Sequence, residues 1–155
     1  MPKKPDFDVD AAHRHFSAEC FNQAWELMDK PNRTAAEDEE MIRLSLASTW
    51  HWTQREDCAP TNMSVGYWQT SRIYAMLGQA DNARRYSQLC LEASQGEDIP
   101  PFYLGYAYEA LARVESVAGN HAKMEQYLRE ARRVADTIPK PDAKQILLDD
   151  LDTIK

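Results

Sequence analysis

Glycine is scarce in this chain, five in 155 residues, and runs of Val, Ile and Thr that would read as strands are missing. With Ala, Leu, Glu, Arg and Gln abundant, this composition argues against a sheet-built protein and for helices. The three cysteines, Cys20, Cys58 and Cys90, are odd in number and widely spaced with no CxxC, so neither a disulfide framework nor a zinc knuckle is indicated. Positive charge is in deficit: 18 Lys and Arg against 25 Asp and Glu leave a net charge of -7, which argues against a phosphate backbone as partner. No stretch approaches the roughly 20 apolar residues of a membrane span. The opening "MPKKPDFDVD" carries two lysines with no apolar segment behind them, so a cytoplasmic protein is the expectation. GxSxG, Walker, HExxH and dinucleotide-binding patterns are all absent. No catalytic class rises from motifs, and no cofactor is expected.

What is present is helix punctuation. A helical pattern runs from Val9 to Asp29 and stops at Lys30, which precedes Pro31 and is pushed away from helical angles. Thr34 opens "TAAE", a capping box with Glu37, and starts a second helix reaching about Arg55. The acidic "EDEE" in its first turns reads as a solvated helix start favoured by the helix dipole. A third helix is expected from Thr61 to Leu77, ending at Gly78, and a fourth from an Asp81 cap to Ser94. After "QGEDIPP", a fifth runs from near Pro100 to Gly119, and Asn120 caps a sixth. "PKP" separates it from a short seventh, Asp142 to Thr153. The expected fold is all-α, one domain over residues 1–155, with hairpins at about 9–55, 61–94 and 100–138 and a capping helix at 142–153.

The segment "YWQTSRIYAMLGQADNARRYSQLC" (67–90) lies without a gap over "YEALARVESVAGNHAKMEQYLREA" (108–131). The offset of 41 pairs Tyr67 with Tyr108, Arg72 with Arg113, Gly78 with Gly119 and Tyr86 with Tyr127, as in a duplicated helical hairpin. At these residues the chain resembles the tetratricopeptide repeat (TPR) family. The family pattern Trp-x2-Leu-Gly-x2-Tyr then Ala-x3-Phe falls on Tyr67, Thr70, Ser71, Tyr74, Ala83 and Ser87. In the second copy it falls on Tyr108, Leu111, Ala112, Glu115, Met124 and Leu128. Ser87, Glu115 and Met124 depart from it, and the spacing exceeds the family's repeat of about 34 residues. The likeness is therefore TPR-like, covers residues 61–139, and extends in "HFSAECFNQAWELMDK", "STWHW" and "YEALAR" to small bacterial TPR-like proteins. It implies a concave groove lined by the first helix of each hairpin, into which Trp68 and Arg72, then Glu109 and Arg113, point, with Val65 and Tyr106 one turn earlier.

Those groove residues can also satisfy one another, Trp68 stacking on Arg72 and Glu109 pairing with Arg113 at i, i+4. Left free, two arginines at equivalent positions suit the gripping of carboxylates. A second candidate is "STWHW". On a helix Trp50 and Trp52 lie about 200° apart, so the two tryptophans are expected to pack against helices one and three, with His51 a hydrogen-bonded interfacial residue. The functional alternative makes Trp50, His51 and Trp52 a pocket with His51 as general base or ligand contact. No metal site is expected: His13 and His15 are also about 200° apart, and His13 and Cys20 about 10 Å.

These observations point to a non-catalytic module that binds a peptide or protein segment, including an acidic one, in the groove. The alternatives are a small-molecule site or enzyme around His51 and an architectural role. The last helix carries an apolar stripe, Leu147, Leu151 and Ile154, which must be buried either as a cap on the preceding hairpin or in a homodimer. Capping, and a monomer, is the preferred expectation.

Overall fold

The first helix begins where Asp8 accepts a hydrogen bond from the amide of Ala11 at 3.0 Å, satisfying one of the unpaired N–H groups of a helix start. This computed structural model describes residues 1–155 as seven α-helices in two compact units, Met1–Ala59 and Pro60–Lys155. The helices are α1 (Val9–Asp29), α2 (Ala35–Thr53), α3 (Pro60–Met76), α4 (Ala80–Ala93), α5 (Pro101–Ala118), α6 (His121–Ala135) and α7 (Pro141–Asp152). Neighbours in sequence pack as hairpins, α1 with α2, α3 with α4 and α5 with α6. No helix is long and apolar enough to cross a membrane.

In the first unit the turn between α1 and α2 is held by side chains. Arg33 donates from Nη1 to the carbonyls of Leu27, Met28 and Lys30, which end α1, and from Nε to Asp38 of α2. The capping box forms as the sequence suggests, with the Glu37 amide on Thr34 Oγ1 at 3.2 Å and the Thr34 amide on Glu37 Oε2 at 2.9 Å. The fully buried residues between the helices are mostly small, Ser17 and Ala24 from α1 and Ser45 and Ser48 from α2, with Met41 of α2 the one large apolar side chain. Ser48 Oγ donates to the carbonyl of Ser17 at 2.7 Å, and Arg55 Nη1 donates to Ser17 Oγ at 3.0 Å.

In the second unit α5 is the central element, packed on α3, α4, α6 and α7. Its core joins Ala112 to Met124, Leu128, Ala131 and Ala135 of α6 and to Leu147 and Leu151 of α7, with Ile138 and Ile154 closing the ends. The stripe on α7 is thus buried within the chain, while Ile146 stays exposed. Gly105 is what lets α7 approach: a Cβ there would stand 2.5 Å from Leu147 Cδ2.

The two turns at Gly78 and Gly119 are alike. Both glycines are left-handed, φ 73° and 78°, and the next residue's amide reaches back five positions, Gln79 to Tyr74 O and Asn120 to Glu115 O, each at 2.9 Å. Tyr67 and Tyr86 lie 6.3 Å apart between ring centroids, and so do Tyr108 and Tyr127. Tyr67, Tyr74, Tyr86 and Tyr108 are half-buried rather than enclosed, because these rings stack side by side along the hairpins and keep an edge in solvent. Asp81 does not cap α4. The N-cap is Gln79, and Asp81 lies inside the first turn, paired with Arg84 at 3.0 Å.

Candidate functional site

The residues expected to line a groove meet at one carboxylate. Glu109 of α5 is fully buried, and its oxygens accept from three side chains: Trp68 Nε1 at 2.8 Å, Arg72 Nη1 at 2.9 Å and Arg113 Nε at 2.8 Å. Trp68 and Arg72 come from α3, so the α3–α5 packing brings together residues 37 and 41 positions apart. A lone carboxylate with no exposure would carry a large desolvation cost. Two guanidinium groups and an indole N–H offset it here.

The network continues to α7. Arg113 Nη2 donates to Thr153 Oγ1 at 2.8 Å and to the carbonyl of Asp150 at 3.2 Å, placing a cation at the C-terminal turn of α7, where the helix dipole favours it. Tyr106 Oη donates to Asp150 Oδ2 at 2.6 Å. Burial first, then that bond to an anion, pushes the Tyr106 phenol well above its usual range, so it stays a donor. Burial also draws the Arg72 guanidinium below its usual value, opposed by Glu109, and it remains a cation. Trp68 and Tyr106 touch edge to face at 5.7 Å, and Arg72 lies 5.8 Å from the Trp68 ring.

Trp68, Arg72, Tyr106, Glu109 and Arg113 are therefore one connected group, with Asp150 as a member that sequence reasoning missed. The i, i+4 pairing of Glu109 with Arg113 and the stacking of Trp68 with Arg72 were readable. The convergence on Glu109 depends on the register of α3 against α5. The recess lined by Trp68, Ser71, Arg72, Ala75, Glu109, Ala110 and Arg113 holds about 140 Å³, counting space open to solvent. Almost none of that space admits even a water-sized sphere, so the recess is not a small-molecule pocket.

A second buried acid, Glu115, accepts from Arg84 Nε at 3.0 Å and from Asn120 Nδ2 at 2.6 Å. Burial raises its carboxyl, but these bonds outweigh burial and hold it below the ordinary range. It braces the Gly119 turn against α4.

The "STWHW" residues part company in the first unit. Trp52 takes the Arg55 guanidinium on its ring face, 3.8 Å from the centroid. Trp50 is 55% exposed, so its packing against α1 leaves much of the ring in solvent. Trp50 stands about 200° around α2 from the buried Ser48 and meets α1 at the edge of the contact, where its ring lies edge to face with that of His13 at 5.4 Å. His51 meets His13 of α1, Nδ1 to Nδ1 at 2.8 Å, with the rings of Trp50 and Phe16 at 4.9 and 5.5 Å. Sequence reasoning treated His13 only as a discarded metal ligand, and no three metal-binding side chains gather anywhere in the chain.

No known protein family, curated protein or solved structure matches the chain.

Proposed function

We propose that the chain is a non-catalytic, TPR-like binding module that holds a peptide or protein segment on the α3–α5 face. The observation that carries this reading is the convergence of Trp68, Arg72 and Arg113 on Glu109. Side chains already fixed by a buried anion lose little rotamer freedom when a partner arrives, which lowers the entropic cost of binding. Arg72 gives only one Nη1 donor to Glu109, so the rest of its fork is available to a carboxylate of the bound segment. The likeness of the Gly78 and Gly119 turns and of the two tyrosine pairs supports a duplicated hairpin, the architecture that the TPR-like reading requires. The small recess favours a surface contact with a chain over an enclosed small-molecule site.

The test is affinity capture from source-cell extract with cross-linking, comparing wild type with Trp68→Ala/Arg72→Ala. A segment cross-linked to α3 and α5, and lost from a double variant of unchanged helicity, supports the reading. Capture that survives the double variant, or no captured segment at all, counts against it.

A further inference from the structure

We propose that His13 and His51 form a proton-responsive clasp on the α1–α2 hairpin, closed while the rings share one bridging proton and opened when both are charged. The geometry requires sharing. The two Nδ1 atoms are 2.8 Å apart and the ring centroids 5.1 Å, so the nitrogens face each other, and one must donate while the other accepts. A neutral pair meets this with one Nδ1–H and one Nε2–H tautomer, and a singly charged pair makes the same bond in charge-assisted form. A doubly charged pair sets two N–H groups and two positive charges against each other, and the bond is lost.

No carboxylate stands beside the pair to hold a second positive charge. His51 lies in the last turn of α2, where the helix dipole favours a cation. From α1, Asp10, Arg14 and His15 lie nearest His13 in sequence, and the His15 ring is turned onto Phe16. Beyond α2, Arg55 and Asp57 are bound to each other through two hydrogen bonds, at 2.8 and 2.7 Å. Neither imidazole has a carboxylate partner at ion-pair distance, in contrast to His121, which has Glu125 at 3.9 Å. Burial, and then the charge of His13, hold the His51 imidazole below its usual value. A folded-state value below the unfolded one means stability that is present above the unfolded value, about 6.5, and is lost as pH falls through the folded one. The buried seam beneath the clasp is serine and alanine apart from Met41, so less apolar burial holds it than holds the second unit.

The test is an NMR titration of the imidazoles together with pH-dependent hydrogen exchange, corrected for intrinsic rates, on the full chain. Two coupled steps belonging to the pair, rather than two independent ones, are expected. Amide protection in α1 and α2 should fall by up to about tenfold per pH unit as pH drops from about 6.5 toward the second step, one extra proton being bound on opening, while α5 and α6 stay level. His13→Gln and His51→Gln should each flatten that slope, and His15→Gln should leave it intact. Independent titration of both rings near 6.5, or a slope that persists in the His13→Gln/His51→Gln protein, overturns the proposal. The wild-type titration decides the matter even if a variant fails to fold.

Discussion

The α1–α2 seam and the α5–α6–α7 core are both assembled from helices of ordinary length, yet they bury different chemistry. The first is joined by Ser48 on Ser17, Arg55 on Ser17 and His13 on His51, with Ala24 and Met41 as its fully buried apolar residues. The second encloses Leu111, Leu128, Leu147 and Leu151, and its two buried acids, Glu109 and Glu115, each carry an arginine partner. Apolar burial is non-directional and tolerates small shifts, whereas a hydrogen-bonded seam fixes register but contributes only about 0.5–1.5 kcal/mol per bond. The second unit should therefore hold most of the stability, and the first most of the sensitivity to conditions.

Glu109→Ala should produce the largest loss, about 3–5 kcal/mol in a urea melt, because Arg72 and Arg113 would be left half-buried without their shared anion. A loss near that of a surface substitution would mean that the two arginines re-pair with Asp150 or solvent without penalty. Leu147→Ala should cost about 2–5 kcal/mol, since the side chain is fully buried between α5 and α7. Sedimentation of the same variant should show whether the uncovered hairpin then associates.

Gly105→Ala comes next, at about 1–3 kcal/mol, with the added methyl driven against Leu147. Combining it with Leu147→Ala should recover part of the loss, and additive losses would place the contact elsewhere. Ser48→Ala should cost least, about 0.5–1.5 kcal/mol, and its effect should appear as faster exchange in α1 and α2 with α5 and α6 unmoved. Equal effects in both units would remove the contrast between them.

The helices were legible because their boundaries are written in local chemistry. Thr34 with Glu37, Lys30 before Pro31, and the two turn glycines each act within a few residues, and α1 runs between the limits read from the chain. The stripe on α7 was legible for the same reason. The groove set was recognised by its likeness to a repeat pattern, but its centre was not, since Glu109 reads as an exposed partner of Arg113 until α3 supplies Trp68 and Arg72. The α1–α2 seam was the least legible part. Its contact stripe on α2 carries Ser45 and Ser48, which look like solvent-facing residues, whereas the tryptophan that drew attention is at the surface.

Cys90 is enclosed with Ser64 and Ser94, and burial pushes its thiol up to about 11. Only the thiolate reacts appreciably with alkylating or oxidising reagents, so this sulfur is silent near neutral pH for as long as α3 and α4 stay closed. Cys20 and Cys58, in the other unit, are half-buried and within easier reach of a reagent. The chain thus carries its own labels for the two units: modification at Cys20 and Cys58 follows local breathing, while modification at Cys90 counts the openings of the α3–α4 hairpin.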